Sequence, residues 1–389
     1  MTNRLRVAVI FGGQSGEHEV SLASARSVME AMDEEKYEII PVGITKDGRW
    51  LASGDPMDAL ASHVPEVSQP AALLGDPSRP GLFLLEDGQA GTRAAPFTDV
   101  EVVFPVLHGP LGEDGTVQGL LELADLPYVG AGVMASAVAM DKVVFKDVMR
   151  AHELPIVDHV MVKRRAWDTD PQDVITQIEG RFPYPVFTKP ANLGSSVGIT
   201  RCPDRTGLTV GLSEAGRHDR KLLVEPAVAQ AREIEVSVLG NDEPRASLPG
   251  EIIPSREFYS YEAKYVDTGD AASSLHIPAP LSDKLTQRVR ELALRVYKAV
   301  DCAGMARVDF LLSGETGVLY VNEMNTIPGF TDISMYPKLW EASGIPYPKL
   351  IDRLIELALE RWRDSGRTNG RRREGGQGAN SHQHRGGTL

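Results

Sequence analysis

Cysteine is nearly absent from this 389-residue chain, with Cys202 and Cys302 far apart as its only two. They form neither a disulfide framework nor a metal-ligand spacing, which points to a reducing compartment and a cytoplasmic protein. Long apolar runs are missing too. Nothing approaches the roughly eighteen consecutive apolar residues of a membrane-spanning helix, so no membrane partner is expected. The N-terminal apolar stretch Val7 to Phe11 stops at Gly12-Gly13 and is too short for a signal-peptide core. A basic excess is also lacking. The 41 Lys and Arg stand against 54 Asp and Glu, a net charge of −13. That sign argues against a general nucleic-acid binder. What is present is length: at roughly 150 residues per domain, two or three domains with their own cores are expected.

The continuous apolar runs Val7 to Phe11 and Val100 to Leu107 suit strands covered on both faces, as in an open parallel α/β sheet. Gly12-Gly13 and His108-Gly109 fall at the carboxyl ends of these strands, where such sheets bind ligands. Residues 47–96, broken by Pro and Gly, read as a peripheral insertion. Ala135 to Leu154 reads as one helix interrupted at Asp141-Lys142. Strands are expected near 184–189, 197–201, 221–228, 232–240, 306–313 and 317–325, and an amphipathic helix over Tyr347 to Trp362. The last stretch, Arg363 to Leu389, has seven Gly, six Arg and almost nothing to bury, and reads as a disordered tail. The boundaries are thus 1–141, 142–220, 221–362 and 363–389, with no internal repeat.

Several segments carry chemistry. Gly130-Ala131-Gly132-Val133-Met134-Ala135 fits a dinucleotide loop in spelling, but it lies mid-chain and position 150 is Arg where an acid is needed. It reads as a tight turn before a helix. Lys189 to Gly198 places a Lys at a strand end before a Gly/Ser loop whose N–H groups and hydroxyls suit phosphate, or else forms a plain hairpin turn. In Arg307-Val308-Asp309 and Glu323-Met324-Asn325, residues two apart share a strand face. If the two strands are neighbours, Asp309, Glu323 and Asn325 converge as hard oxygen ligands for Mg²⁺. The alternative is a polar outer face salt-bridged to Arg307. The Gly-rich loops Gly12 to Ser21 and His108 to Gly119 add acids near strand ends, where the plain reading is first-turn helix acids.

Together with Met140-Asp141-Lys142, Tyr259 to Tyr265 and Asn322 to Thr331, these segments resemble the D-alanine–D-alanine ligase family of ATP-grasp enzymes, in the right order over residues 4 to 361. The resemblance implies an N-terminal open parallel α/β domain followed by a two-part ATP-grasp fold. It implies ligation of two D-alanines to D-alanyl-D-alanine through an acyl phosphate, using ATP and two Mg²⁺ ions, with Mn²⁺ as a substitute. The product feeds the peptidoglycan precursor. The alternatives are a D-alanyl-D-lactate ligase or another carboxylate–amine ligase. By the same resemblance Lys142, Lys189 and Ser196 contact the ATP phosphates, with Glu225 and Glu233 near adenine and ribose. Asp309, Glu323 and Asn325 hold the metal, and Arg307 and Gly329 face the oxyanion. Glu17 pairs with the first ammonium, Ser195 and Tyr265 link to Glu17, and His108 lies near the first carboxylate. Ser334 and Met335 take the second carboxylate. Tyr265 goes with an amine acceptor, and a homodimer through the N-terminal domain is expected.

Overall fold

A computed structural model describes residues 4–64, 67–89, 91–253, 274–331 and 333–368. The N-terminal sheet is built on β1 (Leu5–Gly12), whose residues from Val7 onward are buried on both faces. Val7, Val9 and Phe11 pack under α1 (His18–Ala31) through Leu22, Ala25 and Val28. The alternate residues Ala8 and Ile10 join the opposite core. Strand β2 (Tyr37–Ile44) runs parallel to β1. Beyond it, β3 (Trp50–Gly54), α2 (Pro56–Ala61), β4 (Ser68–Leu73), β5 (Leu82–Gly88) and β6 (Gly91–Thr98) follow. The four strands form an antiparallel meander on the sheet edge, in the order β6-β5-β4-β3 outside β2. Strand β7 (Val102–Val106) flanks β1 in parallel. The α/β class holds, but the sheet is mixed, and residues 47–96 extend it instead of forming a loose insertion. The meander escapes sequence reading because Pro70 and Pro96 stand within its strands and β6 is exposed nearly throughout.

Helices α3 (Thr116–Leu123), α4 (Val133–Met140) and α5 (Lys142–Ala151) lead out of this domain. The single helix expected over Ala135 to Leu154 is two. Asp141 leaves helical conformation (φ −85°, ψ 98°), and its carboxylate accepts from the N–H groups of Val143 and Val144, both at 3.1 Å. It is thus the N-cap of α5, which seats Lys142 as the first helical residue. Next come β8 (Val160–Lys163), α6 (Arg164–Thr169), α7 (Pro171–Glu179), β9 (Val186–Pro190), β10 (Thr200–Cys202), α8 (Arg205–His218) and β11 (Lys221–Pro226). The four strands make one antiparallel sheet ordered β10-β9-β11-β8 over a core of its own. Because β11 sits inside this sheet, the central unit ends after Pro226 and not at residue 220.

The C-terminal sheet contains β12 (Ala231–Leu239), β13 (Arg245–Ala246), β14 (Gly250–Ile253), β15 (Ser274–His276), β16 (Met305–Ser313) and β17 (Leu319–Asn325), with α9 (Asp283–Ala299) packed on it. Two more helices follow, α10 (Met335–Ala342) and α11 (Tyr347–Thr368). Leu350, Ile351, Leu354 and Ile355 of α11 share one core with Val7, Phe11 and Phe104, so the last helix joins the C-terminal and N-terminal units. Trp362 donates its indole N–H to the Asp125 carbonyl at 2.9 Å, and Arg361 lies over the Tyr128 ring. The helix runs on to Thr368, six residues into the stretch read as disordered tail, since a packed helix propagates a further turn at little cost. Residues 369–389 lie outside the described residues. Among the described residues no helix is long and apolar enough to cross a membrane.

Candidate functional site

Antiparallel register gathers the charged residues of three strands. Glu235 lies opposite Asp309, Asp309 opposite Glu323, and Arg307 opposite Asn325. Directly opposed residues share a face, so the convergence expected from strand alternation is observed. The Arg307 fork clasps Asp309, Nε to Oδ1 and Nη2 to Oδ2, both at 2.7 Å, and its Nε lies 2.9 Å from Glu235 Oε2. Asn325 donates to Asp309 Oδ2 at 2.9 Å. Glu323 Oε2 lies 3.3 Å from Lys142 Nζ. Arg307 salt-bridges Asp309 and Glu235, and Asp309, Glu323 and the Asn325 amide supply hard oxygen atoms on the same face. Among the described residues no group of three His, Cys, Asp or Glu could hold a metal. The set here is two carboxylates and an amide oxygen, whose chemistry fits Mg²⁺ shared with phosphate oxygens.

The facing wall is the central sheet. Lys189 on β9 lies beside β11, paired there with Leu223, and its ammonium is ion-paired with Glu225 Oε1. Burial opposes charge on Glu225, yet Lys146 and Lys189 outweigh it and hold the carboxyl down at about 2. Burial likewise works against the Lys189 ammonium, and the Glu225 charge reverses that and raises it. Lys142 also donates to the Leu193 carbonyl at 2.7 Å. The loop after β9 takes left-handed conformations at Ser195 (φ 51°) and Ser196 (φ 61°), unusual for non-glycine residues. The turn closes with the Val197 N–H donating to the Gly194 carbonyl at 3.2 Å. Between the walls lies a cleft of about 500 Å³ lined by Lys142, Lys189, Ser196, Glu225, Glu233 and Asp309, among others.

The N-terminal loops meet this cleft at one point. Gly12 and Gly13 turn at φ 91° and 96°, and a Cβ on Gly12 would come within 2.2 Å of the Ile44 carbonyl oxygen. That turn delivers Glu17 to the start of α1, 8% exposed, where Ser195 Oγ donates to its Oε1. Gly109 (φ 73°) and Gly194 border the same carboxylate. A Cβ on either would stand 2.6 Å or 3.0 Å from Glu17 Oε2. His108 is buried, which lowers its pKa and keeps the ring neutral. Its Nδ1 is 3.0 Å from the Ile327 carbonyl oxygen and so donates; Nε2 accepts from Ser24 Oγ at 3.3 Å. Both nitrogens are thus engaged, and the ring ties this domain to the 326–331 turn. In that turn Gly329 approaches Ser334 so closely that a Cβ would lie 2.8 Å from Ser334 Oγ. Ser334 Oγ also accepts from the Thr331 N–H at 3.0 Å. Met335 opens α10, where a first-turn N–H lacks an intrahelical acceptor.

Tyr265 lies outside the described residues. The glycine decoy behaves as a turn: Gly130 (φ 99°) precedes α4, and its carbonyl is held by Arg361. Three titratable residues of the site escape sequence reading. Glu235 stands two positions from Glu233 on one strand, and Lys146 one helical turn after Lys142, so periodicity held both signals. Glu113 accepts from the Gly109 N–H at 2.9 Å. Burial, then the charge of Glu17, pushes its carboxyl up to about 8, so it keeps its proton at neutral pH. No local pattern marks a carboxyl that burial will protonate.

Comparison with known proteins agrees with this geometry. The family described as D-ala D-ala ligase N-terminus matches residues 6–131, and the one described as D-ala D-ala ligase C-terminus matches residues 148–356. A D-alanine--D-alanine ligase of Caldicellulosiruptor bescii is 51% identical over 92% of this chain and 96% of its own length. One from Thermoanaerobacter sp. is 53% identical over 91% and 96%. The solved structure of the D-alanine-D-alanine ligase from Coxiella burnetii superposes with a TM-score of 0.78 at 38% identity, over 94% of this chain and 97% of that one. The VanG D-Ala:D-Ser ligase of Enterococcus faecalis superposes at 0.79 with 34% identity, over 92% and 100%. Two family models spanning most of the residues, and relatives about half identical along nearly their whole length, show that this chain belongs to the D-alanine–D-alanine ligase family, with its ATP-grasp fold.

Proposed function

We propose that this enzyme joins two D-alanines to D-alanyl-D-alanine at the expense of ATP, in the cytoplasm, for the peptidoglycan precursor. The observation that carries the reading is the face shared by Arg307, Asp309, Glu323 and Asn325 across the cleft from Lys142 and Lys189. It sets oxygen ligands and ammonium groups around one space, which is what phosphoryl transfer to a carboxylate needs. Metal ions serve ATP in this family. Here Asp309, Glu323 and Asn325 would hold a pair of Mg²⁺ ions, or Mn²⁺ in their place, and the metal would supply charge neutralisation at the phosphates.

The protein's own residues do the rest. Lys142, Lys189 and Ser196 bind phosphate oxygens, and Glu225 and Glu233 face the nucleoside. Glu17 takes the ammonium of the first D-alanine, with His108 fixing the wall beside its carboxylate. That carboxylate attacks the γ-phosphorus, ADP leaves, and an acyl phosphate forms. The uncharged amine of the second D-alanine, its carboxylate held at Ser334 and the Met335 N–H, attacks the acyl carbon. Arg307 and the Gly329 N–H steady the oxyanion until phosphate departs. A homodimer through the N-terminal domain is part of the same reading. The test is phosphate release from ATP with D-alanine, L-alanine, D-serine or D-lactate. D-alanine alone should support rapid release with the dipeptide as product. Release that ignores D-alanine would overturn the reading.

Two variants probe the substrate side. In Gly109→Ala the new Cβ would stand 2.6 Å from Glu17 Oε2 at a left-handed φ. The carboxylate must shift, and a misplaced ammonium site should cost roughly 10- to 100-fold in kcat/KM for D-alanine. Steady-state kinetics with D-alanine varied checks it, and a change below about 3-fold counts against Glu17 as the ammonium site. Tyr265→Phe removes the hydroxyl that would extend the Ser195–Glu17 hydrogen bond, worth about 0.5–1.5 kcal/mol. Wild type should make little depsipeptide with equal D-alanine and D-lactate, and Tyr265→Phe should gain it near neutral pH. Product analysis showing an unchanged ratio would remove Tyr265 from acceptor choice.

A further inference from the structure

A second lysine stands behind the cleft wall. Lys146 follows Lys142 by one turn of α5, on the same helix face. Its side chain is 1% exposed, although an ammonium of this length ordinarily reaches water. Nζ lies 3.0 Å from Glu225 Oε2 and 3.4 Å from the Val157 carbonyl oxygen. Glu225 is itself buried, and its other oxygen is the one ion-paired with Lys189. One buried carboxylate is therefore shared by two ammonium groups, Lys146 from the protein interior and Lys189 from the cleft.

The charges decide what this does. Lys189 and Glu225 alone sum to zero, and such a pair has little attraction for an anion. Lys146 brings these three groups to +1, and Lys189, the ammonium among them that lines the cleft, also faces the carboxylates of Glu233 and Glu323. The Glu225 carboxyl is held low and the Lys189 ammonium is raised despite burial; burial lowers the Lys146 ammonium, and the Glu225 charge beside it opposes that. Resting on the ATP reading above, we propose that Lys146 is a positioning residue for the nucleotide: it neutralises Glu225 from behind and so releases Lys189 to bind the polyphosphate of a nucleoside triphosphate. When the phosphates draw Lys189 away, Lys146 remains the counter-ion that keeps Glu225 charged.

The test is titration calorimetry of Mg-ATP without D-alanine, paired with steady-state kinetics, on Lys146→Met, Lys146→Arg, Glu225→Gln and the double variant Lys146→Met/Glu225→Gln. Lys146→Met should weaken Mg-ATP by roughly 10- to 100-fold, raise KM for ATP alike and leave KM for D-alanine unchanged, as expected for loss of one buried counter-ion. Lys146→Arg should stay within about 3-fold of wild type, since it keeps the charge. In the double variant no carboxylate quenches Lys189, so affinity should match Glu225→Gln to within about 3-fold. A merely structural lysine would lower the melting temperature without this rescue. Should Lys146→Met not fold, the double variant against Glu225→Gln decides, and a further large loss there overturns the proposal. Wild-type ATP affinity in folded Lys146→Met overturns it also. If wild type itself binds no Mg-ATP, it is the nucleotide reading that falls.

Discussion

Glu323→Gln should lower kcat by about 10³-fold while the protein stays folded, because a metal's charge clamp is typically worth several kcal/mol. Glutamine keeps the shape of the side chain, so the β16–β17 register that places Asp309 opposite position 323 should persist. What disappears is one of two carboxylates in the oxygen set and the charge facing Lys142 at 3.3 Å. Loss of the negative charge should raise the metal concentration needed for half-maximal turnover as well as lower its ceiling. Kinetics from limiting to saturating Mg²⁺, at saturating ATP and D-alanine, separate these effects. Near-normal turnover at limiting Mg²⁺ would remove Glu323 from the metal set. A drop in melting temperature as large as that of a core truncation would mean that the register, not the ligand, was lost.

How much of this site could be read beforehand depended on range. Alternation put Asp309 with Arg307 and Glu323 with Asn325, because a strand fixes side-chain direction residue by residue. That the two pairs face each other is a matter of register between β16 and β17, which strand neighbourhood suggests and only the fold establishes. Likewise the turn at Gly12-Gly13 was visible as glycine. The reason for it, an Ile44 carbonyl 2.2 Å from any Cβ, belongs to a neighbouring strand. The least legible elements were those whose signal is weak locally. The meander of residues 50–98 has one exposed edge and prolines within its strands, so neither period nor composition marks it. Asp141 illustrates the opposite case. Its position before Lys142 is plain in the sequence, but its work as a cap that splits two helices depends on backbone angles that a sequence does not display. Buried charge was hardest of all. Lys146, Glu113 and Glu235 look like solvated surface residues in sequence, and only the packing around them makes their ionisation matter.

Arg307 offers the sharpest separation of fold from chemistry. Its guanidinium holds Asp309 with both arms and also reaches Glu235, and all three side chains are largely withdrawn from water. Removing the charge in Arg307→Gln should leave two buried carboxylates short of a counter-ion, an effect of about 3–5 kcal/mol on stability. That variant alone would confuse unfolding with loss of catalysis. Arg307→Lys keeps the charge but not the planar fork, so most of the stability should return while the aim of the donors is lost. If Arg307 donates to the oxyanion of the tetrahedral intermediate, kcat of Arg307→Lys should still fall by about 10²–10³-fold, the usual result of removing one such donor. KM for ATP should move little, since the proposed phosphate contacts, Lys142 and Lys189, stand on the other wall. Thermal melting and steady-state kinetics on both variants give the answer. Should Arg307→Lys turn over within about 3-fold of wild type, a point charge suffices, and the oxyanion must be held by other donors. Should its kcat loss follow the unfolded fraction across temperature, Arg307 is a strut for Asp309 and Glu235 and not a donor to the reacting carbon.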